Sequence, residues 1–392
     1  GIPVNQGRYN SGVFTQTFVS PDLVDEVRVI VAPADAEFGR GSGQVQMSTR
    51  SGTNDFRGSV FWSNRNSATD AATFANNFNG TGKNYLNRNQ YGGRLGGPVI
   101  RNKTFFFFLY EGQRTVQKSI VTPIVLTPTA RQGIFRYFPG VQNAGSTANV
   151  PTVDLTGNPV KPPSATGDLR SISVFGLDPL RPGPDQSGLI KRTILDPMPL
   201  PNDFQASPGV DGLNTARYRW LRRTFGSDTL SGGSQGDFTN RDQVNFRVDH
   251  NFSARHKLTF SGTREHAFAD LSQSEWPGGF NGFIDHHPLV YTSSFVSTLS
   301  PTLVNEFRFG LRRGKLDAGQ AYDNPKTGKK ALEFMGKSGA IPWTIEGTLF
   351  GQSSMIFADN GSIRNQTPLW NYGDNVSWIR GKHAFKGGVD FR

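Results

Sequence analysis

The 392-residue sequence has no cysteine and only 4 methionines and 6 histidines. Without thiols it cannot form a disulfide framework, a zinc-thiolate centre or a cysteine nucleophile. It contains no stretch of about eighteen apolar residues, the length that a transmembrane helix needs, although membrane-crossing strands would escape that test. No group of residues has the composition of a catalytic centre. We therefore expect a protein that is not an enzyme and that needs no cofactor.

The sequence is rich in phenylalanine, glycine and proline, with 31, 46 and 24 residues respectively, although only 35% of its residues are hydrophobic. Abundant aromatic side chains and few methionines favour strands over helices. The net charge of +11 allows two interpretations. Nucleic-acid binding normally clusters basic residues, whereas here they are scattered. We favour a surface near phosphorylated lipid headgroups and expect no nucleic-acid partner.

Segments typical of strands are joined alternately by very short turns and by long loops rich in glycine, proline and asparagine. The short connections lie at residues 100–103, 253–256, 300–303 and 380–382, and the longest loop covers residues 116–242. We predict nine strands, at residues 56–66, 89–99, 104–113, 243–252, 257–266, 289–299, 304–313, 369–379 and 383–392. A sheet with one rim of short turns and one rim of long loops is typical of an outer-membrane barrel.

Apolar and polar residues alternate within the predicted strands. Val244, Phe246 and Val248 share one face of their segment, opposite Arg247 and Asp249. A soluble β-sandwich also alternates, so this pattern alone leaves both folds open. Tryptophan and tyrosine near the segment ends and charges at mid-strand favour a barrel with lipid outside and a wet lumen inside.

Residues 24–66 resemble the junction between the plug and the barrel of TonB-dependent outer-membrane receptors. In that family a strand, a small-residue stretch with an aromatic-glycine pair, and a second strand with a Ser-Gly-Thr-Asn ending precede the first barrel strand. Here the pair is Phe38-Gly39 and the ending is residues 51–54. Residues 89–114, which read NQYGGRLGGPVIRNKTFFFFLYEGQR, are similar to Oar-like receptors, which carry a carboxypeptidase-regulatory-like extension.

The resemblance implies an all-β fold. Residues 1–55 would be the C-terminal part of a plug domain, and residues 56–392 about nine N-terminal strands of a larger transmembrane antiparallel β-barrel. It further implies a fragment of a nutrient importer in the outer membrane of a Gram-negative bacterium. Its expected partners are TonB with the inner-membrane motor complex, outer-membrane lipid and lipopolysaccharide, and an unknown nutrient. The alternative is a surface or secreted β-rich module that binds carbohydrate or mediates adhesion without transport.

Two sets of residues are candidates for functional contacts. Basic residues of the presumed plug could form ion pairs with acidic residues of the lumen; these residues are Arg28, Arg40, Arg50, Asp249 and Glu306. Aromatic residues of the presumed outer loops could contact a ligand, although packing of loop against loop is the favoured role; these residues are Tyr218, Trp220, Trp276 and Phe280.

Two motifs resemble a phosphate-binding loop and a metal site, but each lacks features that such a site needs. The glycine-rich residues 38–43 lack the lysine and the helix of a phosphate-binding loop, so a tight turn is favoured. His286 and His287, with Asp285 and Asp270 nearby, suggest a metal site, but adjacent residues of a strand point to opposite faces. No third ligand has a suitable spacing, and we therefore expect no metal.

Overall fold

The computed structural model describes residues 17–31, 43–78, 80, 82–143, 150–174, 188, 191–224, 240–271, 274, 276–319, 321–338 and 363–392. Strands dominate, and they are Val24–Val31 (β1), Gly43–Thr49 (β2), Arg57–Asn66 (β3), Tyr85–Ile100 (β4), Thr104–Val121 (β5), Ile124–Leu126 (β6), Ile134–Tyr137 (β7), Arg170–Ser173 (β8), Thr215–Arg217 (β9), Trp220–Thr224 (β10), Asn240–Asn251 (β11), His256–Leu271 (β12), Gly282–His286 (β13), Leu289–Ser300 (β14), Leu303–Gly319 (β15), Ile363–Arg380 (β16) and His383–Phe391 (β17).

The helices are short. They are Phe74–Phe78 (α1), Pro128–Arg131 (α2) and Gly328–Ser338 (α3), with a π-helical turn at Lys191–Leu195 and a 3-10 turn at Ala321–Asp323. Within the described residues, none of them has the length and apolar character that would let a helix span a membrane.

One antiparallel sheet of eleven strands contains all nine predicted strands, in the order β17-β16-β15-β13-β12-β11-β5-β4-β3. The short strand β13 and the longer strand β14 occupy the same position between β12 and β15, and β10 pairs with the far end of β5. The prediction of nine strand positions in an all-β sheet is therefore confirmed. Because the nine predicted strands all lie in one sheet, a two-sheet sandwich is not supported.

Most strands are longer than predicted. The prediction for β5 ended at residue 113, whereas the strand continues to Val121 and pairs there with β4 and β10. Residues 114–121 read RTVQKSIV, and polar side chains fall on both faces. With polar side chains on both faces, this part of the strand lacks the apolar alternation from which a strand is predicted, although its backbone pairing continues.

The four short turns lie together at one rim of the sheet. Each of the first three turns accepts one backbone hydrogen bond from a neighbouring strand near the next turn. Asn251 N donates to Lys103 O at 2.8 Å, Thr298 N to Arg255 O at 2.8 Å and Ile379 N to Thr302 O at 2.9 Å. The longer connections therefore all lie at the opposite rim, which we call the long-loop rim. This is the asymmetry expected of a barrel wall.

Residues 17–31 and 43–55, the N-terminal segment, stand apart from the large sheet. β1 and β2 form their own two-stranded antiparallel sheet. The segment contacts one face of the large sheet, which we call the inner face; the opposite face is the outer face. The glycine-rich residues 38–43 lie outside the described residues, except for Gly43, which begins β2.

The segment at 116–242, predicted as a loop, is largely folded where the structure describes it. It contains two small sheets, β6-β9 and β7-β8, and the helix α2. Asp211 organises the turn after Val210: its carboxylate accepts hydrogen bonds from Asn143 Nδ2, Asn214 Nδ2 and the backbone N–H of Thr215 at 2.7, 2.6 and 2.9 Å. Short turns with many buried polar groups have no simple periodicity, so the sequence pattern did not predict this unit.

Candidate functional site: the inner face and the long-loop rim

Below the long-loop rim, the outer face of the sheet is largely apolar and has no protein partner in the described residues. Aromatic rings lie side by side across neighbouring strands: Phe246 is 5.6 Å from Phe260, and Phe260 is 6.2 Å from Tyr291. At the first strand of the sheet, Val60 is 89% exposed. A continuous apolar face of this kind is unfavourable in water, and it suits contact with lipid.

The inner face is polar in the middle of the sheet. Arg241 Nη2 lies 2.9 Å from Glu111 Oε1 across β11 and β5, and the two side chains are only 4% and 5% exposed. Beside this pair, Gln243 Nε2 donates to Glu265 Oε2 at 2.8 Å, and Asn245 Nδ2 donates to Gln243 Oε1 at 3.0 Å. Each buried side chain named here has at least one polar partner, which lowers the cost of keeping it out of water.

The N-terminal segment is bound to this polar row through its backbone at Phe18. The backbone N–H of Phe18 donates to Glu265 Oε2 at 2.9 Å, and Gln243 Nε2 donates to Phe18 O at 2.7 Å. The guanidinium of Arg241 lies 3.7 Å from the centre of the Phe18 ring, a cation–π contact. One residue of the segment therefore contacts three strand side chains.

Two arginines of the sheet hold other parts of the segment. Arg94 Nη1 lies 3.2 Å from Asp22 Oδ1 and 3.4 Å from Asp22 O. Arg247 Nη1 donates to Thr49 O at 2.5 Å, while Arg247 Nε donates to Asp249 Oδ2 at 2.7 Å. Two of the acceptors, Asp22 O and Thr49 O, are backbone oxygens. These contacts therefore depend on the position of the segment's backbone more than on the identity of its side chains.

A small apolar contact accompanies the polar ones. Leu23 packs on Phe107 and Leu109, with Phe61 at the margin. Phe107 points to the inner face and is buried, whereas its neighbour Phe108 is exposed on the outer face. The run of phenylalanines at 105–108 therefore divides between the two faces of the sheet.

The predicted plug–lumen ion pairs involve different partners from those expected. Arg28 lies 3.7 Å from Glu26 and Arg50 lies 3.9 Å from Asp25, both within the N-terminal segment, and Arg40 lies outside the described residues. Asp249 reaches the segment only through Arg247, which contacts Thr49.

The fifth residue of that prediction, Glu306, lies on β15 and accepts a hydrogen bond from Ser294 Oγ at 3.2 Å. The alternation of charges along β11 and β15 correctly placed Asp249 and Glu306 on the same face as Arg247. Charge pattern cannot identify partners across a tertiary contact, because the approach of the segment is set by backbone geometry.

The aromatic residues predicted to contact a ligand serve mainly to pack the loops. Trp276 is 1% exposed, and Tyr218 and Phe280 pack against the cluster that contains it. Trp276 is therefore packed among the loops, the role that the sequence analysis favours, and contact of these residues with a ligand stays a prediction. Trp220 begins β10 and is half-buried beside Val121.

Polar side chains order the long loops, with one arginine joining two segments and one aspartate closing a local turn. Arg131 donates to Met198 O at 2.8 Å and to Leu126 O at 3.1 Å, and burial lowers the pKa of its guanidinium. In an exposed turn, hydrogen bonds from the hydroxyl of Thr156 and the backbone of Asn158 lower the pKa of Asp154 to about 2. Local carboxylate turns of this kind need no metal to be ordered.

Among the described residues, a group that could ligate a metal lies on the outer face at the long-loop rim. It comprises His266, Asp285 and His287. His286, which the sequence placed beside His287, is buried on the other face. The sequence spacing showed no third ligand beside His287 and Asp285. In the structure His266 takes that place, contributed by the neighbouring strand β12.

Sequence comparison gives two matches. The model of a family described as outer membrane beta barrel domain matches residues 48–392. The TonB-dependent transporter Oar of Myxococcus xanthus is 36% identical over 99 residues, which cover 23% of this chain and 9% of that protein. The chain thus aligns with less than a tenth of the length of this curated relative.

Proposed function

Because the chain belongs to the outer membrane beta-barrel domain family, we propose that it forms part of a TonB-dependent receptor that imports a nutrient across the outer membrane. The protein lies in the outer membrane of a Gram-negative bacterium. The matches support a transport-related role there, and nutrient import is the more specific form of that role. In this proposal residues 17–55 are the end of a plug domain, and energy comes through TonB and its inner-membrane motor complex.

The observation that carries the proposal is the way in which the N-terminal segment is held. Among the described residues, its contacts with the inner face are hydrogen bonds, one partly exposed ion pair, the contact of Arg241 with the Phe18 ring and a small apolar cluster around Leu23. Contacts of this type separate at modest cost when water can replace them. A plug must stay in place at rest and must shift when it is pulled, and this interface suits both conditions.

The long-loop rim is the proposed entry for the nutrient. Its loops are packed around Trp276 and Val125, so a ligand would meet an organised surface rather than free chains. Polar side chains that line the inner face would then accompany a polar solute through the barrel. The identity of the nutrient is open, and growth of a deletion strain on a panel of sugars, peptides and chelated metals would identify it.

A tether between the segment and the wall tests the proposal. Cysteine replaces Asp22 and Arg94, whose side chains meet at 3.2 Å, and a short bismaleimide joins them in whole cells. These 392 residues contain no cysteine, so within them only the introduced thiols react. We expect uptake of the identified nutrient to stop when the tether forms.

The matched control joins two strands of the wall instead. In the control, cysteine replaces Ser59 and Arg94, which are linked by a 2.8 Å hydrogen bond from Arg94 Nε to Ser59 Oγ. This variant also loses Arg94, but its cross-link does not tether the segment. Uptake should persist in this control. Full uptake by the receptor tethered through Asp22 would contradict a mobile plug.

A further inference from the structure

The outer face carries two histidines and an aspartate on neighbouring strands at the long-loop rim. Ala267 of β12 lies opposite His286 of β13, so His266 and His287 occupy facing positions one residue further along. Alternate residues of a strand share a face, which places Asp285 beside His287. The antiparallel register therefore brings together three ligand-type side chains that are 21 residues apart at the extremes.

The two imidazoles converge on one carboxylate. His266 Nε2 lies 2.9 Å from Asp285 Oδ1, and His287 Nε2 lies 3.0 Å from Asp285 Oδ2. The rings are stacked, with centroids 4.3 Å apart and planes at 6°. All ligand atoms lie within 4.8 Å of one another.

We propose that His266, Asp285 and His287 form a binding site for a borderline divalent transition metal, Zn²⁺ or Cu²⁺. Imidazole nitrogen with carboxylate oxygen is a donor set that these ions prefer. A tetrahedral ion at about 2.0–2.1 Å from each donor needs donors roughly 3.3 Å apart. The nitrogen-to-oxygen distances are already close to that value, so small rotations of the side chains would complete the site.

The surroundings leave Asp285 as the available carboxylate. Asp242, opposite His266, is paired with Arg114 at 2.9 Å, and Asp317, opposite Asp285, is paired with Lys315 at 3.0 Å. Other acidic groups nearby are thus neutralised by their own cations. Two neutral imidazoles and one carboxylate would hold a divalent ion and leave a position for water or an external ligand.

The site is open to ions from solution. The side chains of His266, Asp285 and His287 are 53%, 23% and 32% exposed. On β12 the outer face changes from Phe260 to Arg264 and His266 towards the long-loop rim, so the cluster lies beyond the apolar band. An ion can therefore reach the site without crossing lipid, and the site is independent of the transport proposal.

The test uses the protein purified from outer membranes in detergent and stripped of metal with a chelator. Titration with ZnCl₂ in a calorimeter should give about one ion per chain. His266→Gln and His287→Gln should each weaken binding by at least about tenfold. His383→Gln, which changes an exposed histidine of β17, is the matched control and should bind zinc like the wild type.

A second measurement does not depend on variants. The electron paramagnetic resonance spectrum of the wild-type protein with one equivalent of Cu²⁺ should show coupling to two imidazole nitrogens. The proposal is overturned if zinc does not bind stoichiometrically, if both glutamine variants at His266 and His287 bind as the wild type does, or if His383→Gln weakens binding equally. A copper spectrum without nitrogen coupling would also overturn it.

Discussion

Replacement of Arg241 by methionine is expected to destabilise the protein strongly, because Glu111 would remain buried without its cation. The two side chains meet at 2.9 Å and are almost completely buried. Removal of one partner from a buried ion pair costs about 3–5 kcal/mol, since the remaining charge stays out of water. Loss of the contact between Arg241 and the Phe18 ring adds about 0.5–2 kcal/mol. Urea unfolding in phospholipid vesicles, followed by tryptophan fluorescence, measures the change.

Two further variants separate this effect from a general loss of charge. Lys257→Met removes a cation that is 52% exposed and lies 3.7 Å from Asp249, and it should cost less than about 1 kcal/mol. The double variant Glu111→Gln with Arg241→Met removes the stranded charge and should recover part of the stability. If Arg241→Met costs no more than Lys257→Met, the inner-face pair is not buried as described and the reasoning fails.

Three other predictions follow from the same structure. Phe260→Lys on the outer face should cost about 2–4 kcal/mol in vesicles, and Ser261→Lys on the inner face should cost clearly less; equal costs would remove the distinction between the faces. Trp276→Ala should make the loops sensitive to protease at concentrations that spare the wild type, whereas Trp62→Ala, which changes an exposed ring, should not. The depressed pKa of Asp154 means that its turn is most stable above the unfolded value near 4; the protection of its amides from hydrogen exchange, taken relative to the intrinsic rate at each pH, should be full above pH 4 and should fall as the pH approaches 2.

The sheet could be predicted because its strands combine two strong local signals. Apolar residues at every second position marked strands such as β11 and β15, and short turns such as the one at Gly381 marked their ends. Gly381 has a φ of 59°, which glycine adopts readily and most residues do not. These signals are local, so they could be read without knowledge of the tertiary fold.

The contacts of the N-terminal segment and the metal-type cluster could not be predicted in the same way. Phe18 is joined to Gln243 and Glu265 through its backbone, and backbone contacts leave no pattern in side chains. His266 meets His287 only because the register of β12 and β13 makes them neighbours. A prediction of the register between β12 and β14 would have found this pair. Arg264 of β12 lies opposite Leu289 of β14, and continuing the same register by two residues puts position 266 opposite position 287.

The central claim is that one face of each strand meets lipid while the other faces the polar interior. Spin labels on single cysteines at residues 307–310 of β15 test it, since the chain has no native cysteine. Labels at Phe307 and Phe309 should collide with oxygen dissolved in lipid, whereas labels at Arg308 and Gly310 should not. Equal oxygen accessibility at all four positions, or the opposite alternation, would contradict the account.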